Sequence, residues 1–304
     1  MSNPDPVPPE PATLDRITLR RLVQIALDED GANQDLTTNA LVPPTQLGRA
    51  RIIAKQAGVI CGLSFGQETY HVVEPRVQWM AAVIEGMEVA PGATIAHLAG
   101  PIHPMLRGER TALNFLQRLS GIATLTREAV ARIAHTDAKI LDTRKTSPGL
   151  RVAERYAVRV GGGLNHRFNL TAGLLVKDNH LAAWHARGGS LAAATRAAVA
   201  AAGPATAVEI EVTTLGEVEE ALAAGAPALL LDNLDPGTMA QAVARAKQAG
   251  ALTEASGNVT LENVAAVAES GVDFISLGAL THSVPALDLS FQLDPDADQD
   301  IRPG

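Results

Sequence analysis

From about Lys139 onward the chain repeats one pattern. A short run of β-branched residues or leucines ends in a polar or charged residue, and an alanine-rich stretch with helical spacing follows. The runs are Lys139 to Asp142, Leu174 to Lys177, Val208 to Glu211, Ala228 to Asp232, Ala251 to Glu254 and Phe274 to Leu277. Between them, residues 190–202, 214–224, 236–248 and 260–269 carry helical periodicity, and Thr214, Asp235 and Thr260 are the predicted caps of the last three helices. Strands alternating with helices predict parallel βα units, and so many in series predict an α/β barrel, complete or incomplete.

The first 118 residues follow another pattern. Ile17 to Asp30 reads as an amphipathic helix with Leu19, Leu22, Val23 and Ala26 on one face. Arg49 to Lys55 and Val77 to Ile84 read as strands, followed by a turn-rich stretch from Glu85 to Gly92. Glu109 to Ala134 is predicted as a helical link into the barrel, broken near Ser120-Gly121. The last apolar run, Ala286 to Leu293, is predicted to return to the N-terminal part. The expected division is a disordered lead-in over 1–13, an α+β sandwich over 14–118 with 286–298 returning, and an α/β barrel over 119–285.

Composition narrows the function. With 25 Lys+Arg against 33 Asp+Glu the chain has net charge −8, so the broad basic face of a nucleic-acid binder is not expected. No apolar run approaches the roughly 18 residues of a membrane span. Residues 1–13 hold five prolines and two acids without the cationic start or apolar core of a signal peptide. A cytoplasmic location is the expectation. Cys61 is the single cysteine, which leaves no intrachain disulfide or cysteine metal cluster; in its GVICGL context it reads as a buried filler.

Against that acidic background, residues 140–180 are rich in cations. Arg144, Lys145, Arg151, Arg155, Arg159, Arg167 and Lys177 face only Glu154 between the first and last of them. Clustered like charges repel, so a multiply charged small anion is the expected partner. In α/β barrels the site lies at the C-terminal ends of the strands. There the runs bring Arg144 and Lys145, Lys177 and Asp178, Glu211, Asp232 and Asn233, the turn Ser256-Gly257-Asn258, and Gly278. The turn and Gly278 are suited to phosphate through loop amides and helix N-termini.

Several long motifs occur together in one order: Glu29-Asp-Gly, Asp35-Leu-Thr-Thr, Glu109-Arg-Thr-Ala-Leu-Asn-Phe, Asp142-Thr-Arg-Lys-Thr-Ser-Pro-Gly149, Gly161-Gly-Gly-Leu-Asn-His-Arg167, Lys177-Asp-Asn-His180, Glu209-Ile-Glu-Val212, Leu231-Asp-Asn233, Glu254-Ala-Ser-Gly257 and Ser276-Leu-Gly-Ala-Leu-Thr-His-Ser283. Over nearly the whole length beyond the proline-rich start, the chain resembles the quinolinate phosphoribosyltransferases. The resemblance implies a pentosyltransferase in NAD biosynthesis. Quinolinate attacks the anomeric carbon of phosphoribosyl pyrophosphate through its ring nitrogen, and pyrophosphate and carbon dioxide leave to give nicotinate mononucleotide.

The resemblance also implies residue roles. Thr143, Arg144, His166, Arg167 and Lys177 would line the quinolinate pocket, with Arg110 reaching it from the second subunit of a homodimer. Lys145 would act on the pyrophosphate side, and Glu211 and Asp232 at the ribose and a Mg²⁺ ion. Ser256, Gly257, Asn258 and Gly278 would hold the 5′-phosphate. Two positions depart from the family's usual pattern: Ala172 stands where an aspartate is common, and Asn258 where a second glycine is common. His166 and His180 lack a clear third ligand for a metal, so His166 reads as a substrate contact, while His180 and His282 could be structural. Other readings stay open from sequence: a related transferase with another acceptor, an aldolase-type barrel with Lys177 as Schiff-base lysine, and a sugar-phosphate sensor without turnover.

Overall fold

In the computed structural model, residues 14–294 are described; the expected lead-in over 1–13, and the part of the returning segment beyond 294, lie outside them. The elements of the first part are α1 (Arg16–Glu29), α2 (Leu36–Leu41), β1 (Leu47–Ala54), β2 (Gly58–Val59), α3 (Leu63–Val73), β3 (Gln78–Ala81), β4 (Glu88–Val89), β5 (Thr94–Pro101) and α4 (Ile102–Arg132). They continue with β6 (Lys139–Leu141), α5 (Arg151–Val160), β7 (Leu174–Val176), α6 (Asp178–His185), α7 (Leu191–Ala201), β8 (Val208–Val212), α8 (Leu215–Ala223), β9 (Ala228–Asp232) and α9 (Pro236–Ala249). The last are β10 (Leu252–Ser256), α10 (Val264–Glu269), β11 (Phe274–Ser276), α11 (Ala279–His282) and β12 (Leu289–Asp294). The described residues form two compact units: residues 14–127 with 147–162 and 284–294, and residues 128–146 with 163–283.

In the N-terminal unit, an antiparallel sheet runs in the order β12-β1-β5-β3. The last strand therefore pairs with the first, Ala50 opposite Leu293 and Ile52 opposite Phe291. Ile52, Tyr70, Ile95, Leu98, Met105 and Leu116 are buried together beneath this sheet, and Cys61 is fully buried. Asp15 caps α1 by accepting the Thr18 N–H at 2.9 Å, and Asp35 caps α2.

The predicted break at Ser120-Gly121 is not there. α4 runs unbroken for 31 residues. Gly121 serves close packing instead, since a Cβ at this position would lie 2.2 Å from the carbonyl oxygen of Pro285. Helix propensity alone would make Gly121→Ala stabilising by about 1 kcal/mol. Overlap with a backbone oxygen costs about 1–3 kcal/mol through forced shifts, so a net loss of stability is expected in urea unfolding. A gain would mean that the Pro285 segment yields freely.

The second unit holds a parallel six-stranded sheet in the order β6-β11-β10-β9-β8-β7. The first strand pairs with the last, so the strands follow one another in circular order with the β6–β7 seam unpaired. This is an incomplete α/β barrel. At the open seam an isolated bridge joins Leu141 to Leu164. Helices α7 to α10 pack along the strands and on one another in sequence. Thr214 caps α8 in a reciprocal box with Glu217, and Asp235 caps α9. Thr260 is not a cap: α10 begins only at Val264, because Asn263 uses its side chain to accept the Thr260 N–H at 2.8 Å and to donate to the Asn258 carbonyl at 2.9 Å.

Register decides which residues share a face. Leu175 pairs with Glu209, Glu211 with Leu230, Leu230 with Glu254, and Asp232 with Ser256. Because side chains alternate along a strand, Glu209, Glu211, Leu230, Asp232, Glu254 and Ser256 lie on one face. Ile210, Val212, Leu229, Leu231, Ala255 and Ile275 lie on the other, and all six are fully buried. Parallel sheets are usually apolar on both faces. A face carrying four acids is therefore held for something other than packing.

Candidate active site

The polar face ends in three groups the sequence had singled out. Lys177, at the junction of β7 and α6, donates from Nζ to Glu211 Oε2 at 2.9 Å. Glu211 is nearly buried, at 8% exposure, and its other oxygen accepts the Asp178 N–H at 3.2 Å. Asp232 lies close enough that its carboxyl pKa is raised, first by burial and then by the charge of Glu211, against the lowering influence of Asn233, Lys177 and Lys145. Two acids and two lysines thus face one another at the strand ends. His180 accepts the Lys177 N–H on Nδ1 at 3.0 Å and so has the structural role of fixing this junction.

The loop after β6 is shaped by its own side chains. Thr143 accepts the Lys145 N–H at 3.1 Å, and the Thr281 hydroxyl donates to the Lys145 carbonyl at 2.7 Å. Gly278 packs against this lysine: a Cβ there would stand 3.0 Å from His282 and 3.1 Å from Lys145 Cδ. Asp142, fully buried, accepts the His166 N–H at 2.9 Å and bonds the Asn165 side-chain amide. It thereby ties the end of β6 to the segment carrying His166 and Arg167. Arg167 donates to the Gly173 carbonyl at 2.8 Å. Burial, and then the neighbouring charge of Arg144, lower its guanidinium pKa. Ala172, beside that carbonyl, is exposed.

His166 occupies a setting the sequence did not disclose. Its Nε2 lies 3.4 Å from Glu209 and 3.4 Å from Glu254, and the Ser276 hydroxyl donates to the far oxygen of Glu254. Its Nδ1 accepts the Arg167 N–H at 2.7 Å. Burial opposes a charge on the imidazole, but hydrogen bonds and charge from both glutamates outweigh it and push the pKa up to about 10. Full protonation surrenders the Arg167 bond, a neutral contact of about 1 kcal/mol, whereas bonds to charged groups reach about 1.5–3; the carboxylates prevail. Glu209 is itself raised to about 7, by burial and then by Glu254.

In the segment expected from sequence to take phosphate, the turn after β10 meets the turn after β9. Asn233 and Asn258 both adopt left-handed backbone, at φ 57° and φ 50°, which asparagine tolerates better than most residues. Asn258 donates to Asn233 Oδ1 at 2.8 Å, and Asn233 donates to Asp232 Oδ2 at 2.7 Å. Gly257, at φ 79°, has no room for a side chain: its Cβ would stand 2.3 Å from Asn233 Oδ1. Ser256 accepts the Asn233 N–H on its carbonyl at 2.9 Å. With α10 beginning at Val264, the donors available here are loop amides rather than a helix N-terminus at Thr260.

The structure divides the cationic patch. Arg144, Lys145, Arg167 and Lys177 belong to the barrel unit, whereas Arg151, Arg155 and Arg159 lie on α5 in the other, and Arg155 is buried. Arg110 is exposed on α4, in the N-terminal unit. Sequence reasoning passed over Asp142, Glu209 and Glu254 as site residues. The alternation of Val208-Glu-Ile-Glu-Val212 was the available signal for Glu209, since it puts two acids on one face of a strand.

Two donor sets could hold a cation. His166, Glu209 and Glu254 offer ligand atoms all within 4.8 Å of one another, but Mg²⁺ prefers oxygen ligands and retains waters. Glu211 with half-buried Asp232 fits that preference better, as neighbouring carboxylates in a partly exposed setting.

Comparison with known proteins identifies the family. Residues 35–120 match the N-terminal domain of quinolinate phosphoribosyl transferase, and residues 122–292 match its C-terminal domain. The chain is 42% identical over 280 residues to a probable carboxylating nicotinate-nucleotide pyrophosphorylase of Bacillus subtilis, covering 92% of this chain and 95% of that one. It is 42% identical over 269 residues to its counterpart in Synechocystis sp., covering 88% and 90%. The structure of the nicotinate-nucleotide pyrophosphorylase from Francisella tularensis superposes with TM-score 0.86 at 37% identity, covering 93% of this chain and 98% of that one. With both domain models matched in order and relatives of this identity aligned over almost their full length, the chain belongs to the quinolinate phosphoribosyltransferase family.

Proposed function

We propose that this chain transfers the phosphoribosyl group of phosphoribosyl pyrophosphate to quinolinate and decarboxylates the adduct to nicotinate mononucleotide, in NAD biosynthesis. The observation that carries the reading is the convergence of Lys177, Glu211 and Asp232 at the ends of adjoining strands, with Lys145 close enough to act on Asp232. Both substrates are polyanions. Arg144 and Arg167 suit the planar carboxylates of quinolinate by bidentate contact, and Thr143, His166 and Lys177 complete the pocket. Lys145 faces the departing pyrophosphate. Glu211 and Asp232 hold the ribose as positive charge develops at its anomeric carbon.

Neither acid needs to act as a base, because the pyridine nitrogen is already nucleophilic. Once ribosylated, the ring is cationic and stabilises the carbanion left by carbon dioxide. When bound, Mg²⁺ at Glu211 and Asp232 would offset negative charge on the pyrophosphate. The 5′-phosphate is assigned to amides of Ser256, Gly257, Asn258 and Gly278. Arg110 is assigned to the quinolinate pocket of the second subunit in a homodimer. A cytoplasmic location belongs to this reading; among the described residues no helix is long and apolar enough to cross a membrane.

The test is turnover of quinolinate with phosphoribosyl pyrophosphate and Mg²⁺, with nicotinate as a parallel acceptor. Equimolar carbon dioxide, pyrophosphate and nicotinate mononucleotide from quinolinate, and no product from nicotinate, are expected. Binding of phosphoribosyl pyrophosphate without product from either would sink the reading.

Asn258→Gly gives a finer result. Glycine keeps the backbone amide and the left-handed turn but removes the bond to Asn233, which holds Asp232. Loss of one hydrogen bond worth about 1 kcal/mol corresponds to roughly a fivefold rise in KM for phosphoribosyl pyrophosphate, with KM for quinolinate unchanged. Equal rises in both would argue against a local effect on Asp232.

A further inference from the structure

Asn233 follows Asp232 directly at the end of β9 and has no task in the reaction as described. Its backbone is left-handed, at φ 57°, a conformation that persists in a residue with a side chain only where the surroundings hold it. Main chain and side chain are both engaged. The Asn233 N–H donates to the Ser256 carbonyl at 2.9 Å. Its side-chain amide donates to Asp232 Oδ2 at 2.7 Å and accepts from the Asn258 side chain at 2.8 Å.

Donor and acceptor chemistry fixes the direction of this bridge. An ionised carboxylate only accepts, so Asn233 turns its amide nitrogen toward Asp232 and leaves its oxygen for a donor, which Asn258 supplies. An aspartate at this position could serve Asn258 but not Asp232, and a glycine could keep the left-handed turn but serve neither. The turn after β10 is also laid directly on the pair: a Cβ on Gly257 would stand 2.3 Å from Asn233 Oδ1 and 2.8 Å from Asp232 Oδ1. Further along, the Asn258 carbonyl accepts from the Asn263 side chain at 2.9 Å, and Asn263 accepts the Thr260 N–H at 2.8 Å. A continuous line of contacts therefore runs from the Asp232 carboxylate into the turn.

We propose that Asn233 is a positioning residue that couples the turn Ser256-Gly257-Asn258 to the Asp232 carboxylate, so that the 5′-phosphate and the ribose of one ligand are bound cooperatively. This rests on the assignment of the 5′-phosphate to that turn and of the ribose to Asp232. Asn233 and Asn258 are exposed in the free protein, where water competes for their bonds. A phosphate seated on the turn amides holds Asn258 in place, Asn258 holds the Asn233 amide, and the amide fixes one orientation of Asp232. The ribose then meets a carboxylate that is already ordered, which strengthens its binding.

The test is calorimetric titration of the full-length protein with nicotinate mononucleotide, which carries both the ribose and the 5′-phosphate and brings no pyrophosphate. Asn233→Gly keeps the left-handed turn and removes the amide; it is expected to weaken binding about tenfold where Asp232 is intact. In an Asp232→Ala background the same change should cost less than about twofold, because the group through which Asn233 acts is gone. Asn233→Asp sets a second carboxylate against Asp232 and should bind no better than Asn233→Gly, again only where Asp232 is intact. KM for quinolinate should stay within about twofold in both Asn233 variants. If one variant fails to fold, the other carries the comparison of backgrounds. Equal losses with and without Asp232 overturn the proposal and leave the ribose assignment standing, as does wild-type binding in either Asn233 variant. Unchanged affinity in Asp232→Ala alone overturns the ribose assignment, and no binding to the wild type overturns the phosphoribosyl reading itself.

Discussion

Lys177→Ala is expected to lower turnover by about 10²–10³-fold, the cost of removing one preorganised electrostatic contact from a site where charge develops. Two consequences act in the same direction. The first is loss of a cation at the mouth of a pocket built for a dicarboxylate. The second concerns the acids: Lys177 bonds Glu211 at 2.9 Å and eases the repulsion between Glu211 and Asp232. Without it, Asp232 holds a proton more readily, and a protonated acid holds neither ribose nor metal as a carboxylate does.

The fold should barely respond. The Lys177 side chain is 46% exposed, and an exposed ion pair contributes about 0–1 kcal/mol. In a chain of this size that moves the thermal midpoint by roughly 2–4 °C at most. Lys177→Arg should recover only part of the activity, because a planar fork cannot reproduce the single short contact of an ammonium. The measurement is kcat for nicotinate mononucleotide formation beside a thermal melt. Activity within about threefold of wild type would reduce Lys177 to an ordinary surface ion pair.

The barrel was legible in the sequence wherever a strand combined an apolar run with a polar end. Val208 to Glu211 and Ala228 to Asp232 show both, and the strands form there. Caps with a local chemical signature were legible too: Thr214 with Glu217 three residues on, and Asp235 before Pro236. What failed depended on contacts that a periodic pattern does not display. Gly121 reads as a helix breaker until the Pro285 carbonyl is seen against it, and α4 then continues through it. Thr260 reads as a cap until the Asn263 side chain accepts its N–H and donates to the Asn258 carbonyl.

The site followed the same rule. Arg144, Lys145, Arg167, Lys177, Glu211 and Asp232 stand at strand ends and in loops, where a charge is conspicuous. Glu209 and Glu254 stand inside strands, where a lone acid looks like solvent exposure. Only the parallel register puts both on the face shared with Glu211. Counting cations misled in the opposite direction, since Arg155 contributes charge to the sequence patch but is buried on α5.

Glu154→Ala is expected to destabilise the protein by about 3–5 kcal/mol, the cost of removing one member of a buried ion pair. Glu154 is fully buried on α5. One of its oxygens accepts both Nε and a terminal nitrogen of Arg118, at 3.1 and 2.8 Å, and the other accepts the Ser147 N–H at 3.0 Å. Arg118 also donates to the Val284 carbonyl at 3.3 Å. Alanine would leave a guanidinium and a backbone N–H short of an acceptor in a place water reaches poorly. Glu154→Gln retains acceptor capacity and should cost less, about 1–3 kcal/mol. Urea unfolding with an unchanged slope measures both; a loss under 1 kcal/mol in the alanine variant would mean that Arg118, whose side chain is 28% exposed, finds water instead. Ser147 lies two residues beyond Lys145 on the same loop. Substrate KM in Glu154→Ala, measured well below its lowered melting point, should therefore rise as well, because a loop released at Ser147 no longer holds Arg144 and Lys145 in one place.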